Sequence, residues 1–177
     1  MKQIIGGSIL SRPRDIIYYF GRVVFNANRR KATSLAKRDF EAALRDYSEY
    51  AFQALLAEWS PHIPDLEESL LEFWGGTQDI TDEDLREKLI SSGVNSTDLE
   101  GAVRFLVDAQ FLGIGIDEDN YRFATSPTES AVMMRQAGRF IHNRGGARHF
   151  RIHRAFLHSL ALTSQLRRRA KILLRQP

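Results

Sequence analysis

The chain contains no cysteine. Disulfides, thiolate metal sites and cysteine nucleophiles are therefore excluded, and the absence fits a reducing cytoplasm. Long apolar runs are also missing. The stretch Ile4–Leu10 is interrupted by Gly6, Gly7 and Ser8 and falls far short of the roughly 20 residues a membrane span needs. Arg12 and Arg14 follow it at once, against the pattern of a secretory signal. No phosphate-cradling Gly-x-x-x-x-Gly-Lys loop occurs, since Gly6-Gly7-Ser8 has no lysine after it. A GxGxxG loop and a Gly-x-Ser-x-Gly elbow are absent as well. These absences remove the common nucleotide-binding and hydrolase signatures.

Acids are scarce at both ends and crowded in the centre. Residues 1–38 carry nine Lys/Arg and one acid; residues 39–126 carry five Lys/Arg and twenty acids; residues 127–177 carry eleven Lys/Arg and one acid. The net charge of +3 hides this sorting. The acidic centre points to contact with protein, the basic flanks of the same chain included, and away from contact with phosphates. A hydrophobic share of 43% over 177 residues supports a core, in one domain or two small ones.

Ser11 and Pro13 open a first helix, as cap and first-turn proline. Its inward face is expected to be Ile16, Phe20, Val23, Val24 and Ala27. A second helix runs from Lys37 to Trp59, with Phe40, Leu44, Tyr47, Ala51, Ala54 and Leu55 as its stripe. Ser60-Pro61 ends it, and the short connection predicts antiparallel packing. Three shorter helices follow: Pro64 to Trp74, Thr81 to Ile90 with Thr81-x-x-Asp84 as a capping-box-like start, and Thr97 to Gln110 with Thr97-x-x-Glu100 as a capping box and Leu99, Val103, Leu106 and Val107 as its inward face. Ile114-Gly115-Ile116 and Tyr121-Arg122-Phe123 then read as a hairpin. That order is the order of a winged helix. Ser126-Pro127-Thr128-Glu129 starts another helix, to Ile141. Phe150-Arg151-Ile152 alternates like a strand, and a last helix is expected from His153 or Arg154. The predicted fold is mainly α: a helical lid-like segment over 1–60, a winged-helix-like domain over 61–126 and a basic helical segment over 127–177.

The third helix of a winged helix enters the major groove and offers Arg, Lys, Asn or Gln to bases. Here Thr97–Asp108 offers one Arg against three acids, and the hairpin tip adds Asp117, Glu118 and Asp119. Any nucleic-acid contact is therefore expected through the basic ends and not through this face. The segment with Arg167, Arg168, Arg169 and Lys171 is the candidate for nucleic acid or an anionic surface. Its alternatives are a solvated helix end, or arginines paired with the acidic centre. His149-x-x-x-His153 has zinc-ligand spacing on a helix, but Arg144, Arg148, Arg151 and Arg154 surround it and oppose a cation. No metal is assigned, and no catalytic constellation emerges.

A short apolar stretch followed by Arg12-Pro13-Arg14-Asp15, opening an apolar helix, resembles the lid that follows the nucleotide-binding core in prokaryotic STAND/AAA+-like P-loop ATPases. Phe150-Arg151-Ile152-His153-Arg154-Ala155-Phe156 resembles the Phe-x-Ile-His-x-x-Phe ending of a group of such ATPases. The resemblance covers about residues 9–160. It implies that Arg12 or Arg14 reaches the phosphates of a bound nucleotide; the other reading pairs either one with a local acid such as Asp15, or with one in the acidic centre. The P-loop, the Walker B acid and the core sheet are missing. The resemblance thus implies the C-terminal half of an ATPase, without hydrolysis of its own, with ATP bound only on a separate core. A protein partner or an ATPase core is the expected contact.

Overall fold

The computed structural model describes residues 7–61, 63, 65–115, 120–144 and 147–163, with side chains described only as far as residue 139 of the helix that ends at Arg144. Among them are six α-helices and a small four-stranded antiparallel sheet, so the chain is mainly helical. The helices are α1 (Pro13–Arg29), α2 (Lys37–Trp59), α3 (Leu66–Leu71), α4 (Asp82–Ser91), α5 (Leu99–Asp108) and α6 (Pro127–Arg144). The strands are β1 (Asp79–Thr81), β2 (Leu112–Gly115), β3 (Tyr121–Arg122) and β4 (His149–Ile152).

Helices α1 and α2 form a hairpin. Pro13 starts α1, where a missing N–H costs nothing. Asp39 closes the turn into α2: it accepts the Ala36 amide at 2.8 Å and is gripped by the Arg30 guanidinium, 2.7 Å from Nε. Those hydrogen bonds, Arg30 first, hold the Asp39 carboxyl down at about 2. Ser11 does not cap α1; the capping position is Arg12, with no side-chain bond. Thr81 does cap α4, accepting the Asp84 amide at 3.1 Å, and Ser126 accepts the Glu129 amide at 3.2 Å at the start of α6. The expected box at Thr97 and Glu100 is not formed. Helix α5 starts at Leu99 without a side-chain cap, because Glu100 is turned to two arginines instead.

The sheet order is β1–β4–β2–β3. Strand β4 lies between β1 and β2, opposing Ile80 with Phe150 on one side and Leu112 with Ile152 on the other. Alternation in His149–Ile152 explains it: Phe150 and Ile152 point into the core, while Arg151 on the other face meets Asp79 and stacks on Tyr121 at 4.0 Å. The sheet therefore crosses the boundary expected at residue 126. One buried cluster runs from Ile9 to Leu160 through both helical layers and the sheet. The expected helix after β4 is a single 3-10 turn, Arg154–Phe156, followed by turns. It is capped by His153 Nδ1, which accepts the Ala155 amide at 3.1 Å. Phe150, Ile152, His153 and Phe156 are all buried, so that motif builds core and cap.

Arg148, leading into β4, ties the layers together. It donates to Glu100 at 2.6 and 3.0 Å and lies 3.1 Å from Asp82, while Arg86 reaches the same two acids. Hydrogen bonds from Arg148, then Arg86, hold Glu100 at about 2. Burial, aided by Arg154 and Arg12, pushes His153 down to about 4.

All three groups bind protons more weakly in the fold than in the unfolded chain, so acid must destabilise it. His153 contributes fully above pH 6.5, and that contribution disappears as pH falls to about 4. A displacement of that size is worth on the order of 3 kcal/mol. Asp39 and Glu100 contribute fully above about pH 4.5, with loss as pH falls towards 2. Urea unfolding at a series of pH values should show both windows in the natural chain. His153→Asn, which keeps an acceptor near the Ala155 amide, should flatten the upper window and leave the lower one; an unchanged upper slope would contradict the assignment.

Candidate functional site

The start of α1 gathers the most unusual polar group of the chain. Asp15 is buried, yet it lies in the first turn of a helix whose other inward residues are Tyr19, Val23 and Ala27. Tyr47 on α2 resolves the conflict. Its hydroxyl donates to Asp15 Oδ1 at 2.9 Å and accepts the Leu10 amide at 3.0 Å. Burial, more than these contacts, drives the Tyr47 hydroxyl above its ordinary value, so it remains a donor. The helix dipole adds support for a carboxylate at this end.

Arg12 and Arg14 flank this group. Arg12 Nε lies 3.4 Å from Asp15 Oδ2, and Arg12 Nη1 donates to Glu58 Oε2 at 3.3 Å. Arg14 Nη2 donates to the same Glu58 oxygen at 2.6 Å. That bond, ahead of other causes, raises the Arg14 value. Arg14 is half exposed and Arg12 less so. The structure thus brings both sequence-predicted residues together, and it brings two carboxylates with them. An incoming phosphate would meet Asp15 and Glu58 as well as the guanidiniums. The cluster alone does not fit a nucleotide, and no nucleotide step is derived from it.

The remainder of α1 corrects the expected inward face. Ile16, Phe20 and Val24 are exposed at 44, 37 and 49%, and Ile17 beside them at 73%. They share one side of the helix at spacings of three and four residues. The apolar arc of α1 is wider than α2 can cover. The half nearer Asp15 is buried because Asp15 must reach the Tyr47 hydroxyl, and Tyr19 then slots edge-on to Tyr47, with ring centroids 6.2 Å apart. The signal available in the sequence was the four-residue series Asp15, Tyr19, Val23, Ala27. An acid at its head concealed it. Apart from buried Asp15, α1 carries only positive charge: Arg14, Arg22 and Arg29. Arg22 is paired with Asp46 at 2.7 Å.

Other predicted groups fall elsewhere. His149 is on β4 and His153 follows it, so the two do not share a helix face. The inward residues of α5 are Leu99, Val103, Leu106 and Val107, as the pattern predicts. Arg104 on its outer side is 3.9 Å from Asp108. The hairpin tip at Asp117, Glu118 and Asp119, and the segment with Arg167, Arg168, Arg169 and Lys171, lie outside the described residues.

A family model described as the FunZ-associated C-terminal helical domain matches residues 1–56. The match takes in α1 and most of α2, and its description fits a C-terminal module of a larger protein. No curated protein and no solved structure matches the chain.

Two substitutions separate the buried from the exposed side of α1. Tyr47→Phe strands the Leu10 amide and one Asp15 oxygen and should cost about 1–3 kcal/mol. Ile17→Asp, on the open side, should change stability by no more than about 0.5 kcal/mol. Urea midpoints measure both. A large loss at Ile17 would contradict the assigned face.

Proposed function

We propose that the chain is a non-catalytic interaction module, the C-terminal part of a P-loop ATPase, and that its α1–α2 hairpin docks on the nucleotide-binding core to pass that core's state to a partner. The observation that carries this reading is the exposed stripe of Ile16, Ile17, Phe20 and Val24 on an otherwise well-packed hairpin. Contiguous apolar surface of this kind marks an interface. It is supported by the match of the same hairpin to a C-terminal helical domain, and by the resemblance of the Arg-Pro-Arg-Asp opening to an ATPase lid.

In this reading Arg12 and Arg14 form the basic edge of the docking face. Contact with a nucleotide held on the core requires Glu58 to release Arg14 first. The hairpin moves as one body with the rest of the module, because α2 is bound to the turn after β4 through Ser48, whose hydroxyl accepts the Ser159 amide at 2.9 Å. Residues 61–126 are read as a winged helix into whose sheet β4 has been inserted. Its acidic third helix directs it to protein, and Glu100 on that helix is already committed to Arg86 and Arg148.

Two measurements test the proposal. Isothermal titration of the isolated chain with ATP-Mg²⁺ should show no binding tighter than about millimolar; micromolar binding would contradict it. Against the nucleotide-binding core, Ile17→Asp should weaken association at least about 10-fold, the loss expected from one buried aliphatic side chain. Unaltered affinity for the core would sink the docking assignment. Filter binding of duplex DNA at two salt concentrations distinguishes the alternative reading, in which the basic ends bind nucleic acid: tight binding that collapses steeply with salt would favour that reading over docking.

A further inference from the structure

A second surface carries an inference that does not depend on the docking role of α1. A cleft of about 510 Å³ lies between α4 and the turn after α3. Buried Phe73 and Ile80 give it an apolar lining, and exposed Glu72, Asp84 and Glu87 line it with acid. Lys88 is the one cation of the lining, but its ammonium donates to the Glu72 carbonyl and lies 5.8 Å from the centre of the Phe73 ring. Asp84 accepts the Thr81 hydroxyl at 2.8 Å. Among the described residues, no ion pair reaches Glu72 or Glu87.

The chain itself leads to this cleft. Thr163 pairs in parallel with Thr77, a lining residue. The Thr163 amide donates to the Gly76 carbonyl at 3.0 Å, and the Gln78 amide donates to Thr163 at 3.1 Å. The fourteen residues after Thr163 hold Arg167, Arg168, Arg169, Lys171 and Arg175, with no acid, and Leu166, Ala170 and Leu173 fall at helical spacing among them. At about 3.3 Å per residue, Arg167 to Arg169 come within about 20 Å of Thr163, so the cleft is within reach.

We infer that the basic segment 164–177 seats in this cleft as an intramolecular ligand, with its arginines on Glu72, Asp84 and Glu87 and its leucines over Phe73 and Ile80. The same rule already governs the described residues. Arg14 meets Glu58, Arg22 meets Asp46, Arg148 meets Asp82 and Glu100, and Arg151 meets Asp79, each a flank arginine on a central acid. Attachment at the cleft edge gives the segment an effective concentration near millimolar, so individually weak contacts suffice. Guanidinium forks suit carboxylates presented at several angles. While seated, these arginines are withheld from RNA, DNA or an anionic surface.

The chain has no cysteine, so Ala170→Cys accepts a single nitroxide label. In the labelled full-length chain the amide NMR signals of Glu87, Lys88 and Ser91 should be lost, at every protein concentration. Arg167→Glu/Arg168→Glu/Arg169→Glu should restore them, as should Glu72→Lys/Glu87→Lys at exposed positions. Combining the two sets should bring the loss back, which a folding defect would not do. Signals retained in the labelled natural sequence, or a loss indifferent to both charge reversals, would overturn the inference. A loss that vanishes on dilution would also overturn it, since a second copy would then be the occupant.

Discussion

The Tyr47 hydroxyl decides which half of α1 is buried. It serves the Leu10 amide and one oxygen of the Asp15 carboxylate together, and both are out of water. An unsatisfied carboxylate there would cost more than any single aliphatic contact on the helix could return. That requirement turns Asp15, Tyr19, Val23 and Ala27 towards α2 and leaves Ile16, Ile17, Phe20 and Val24 in solvent. The candidate docking face is therefore a consequence of one buried hydrogen-bonded group.

Charge does a different job. Among the described residues, arginines of both flanks lie on acids of the centre. Individual exposed pairs of this kind contribute little to stability, but their placement fixes how β4 and the α1–α2 hairpin sit against the acidic helices. Arg148 is the clearest case. It comes from the basic flank, enters between α4 and α5, and delivers β4 into the middle of the sheet. An acidic helix that would repel phosphates is thereby partly neutralised from within, by the chain's own arginines.

Much of the fold was legible in the sequence. The α1–α2 hairpin followed from proline placement and a short connection, and the inward face of α5 followed from its apolar spacing. The hairpin of β2 and β3 followed from the change of period at Ile114. Three features were hidden for physical reasons. Asp15 reads as a surface acid because its partner, Tyr47, is thirty-two residues away. The insertion of β4 between β1 and β2 is a long-range choice that no local pattern encodes, although the alternation of Phe150 and Ile152 marked the strand itself. The segment after His153 has apolar spacing suited to a helix, but it is held to one 3-10 turn by the His153 cap and by the pairing of Thr163 with Thr77. Of the candidate site, Arg12 and Arg14 were legible and their shared partner Glu58 was not, since it lies more than forty residues along the chain.

The central claim is that α1 keeps its wider apolar half open in the isolated chain. Carbene footprinting with residue-level readout tests it directly. The account predicts heavy labelling of Ile16, Ile17, Phe20 and Val24, with Tyr19, Val23 and Ala27 protected. Protection of Ile17 and Val24, with Tyr19 and Val23 labelled, would contradict it.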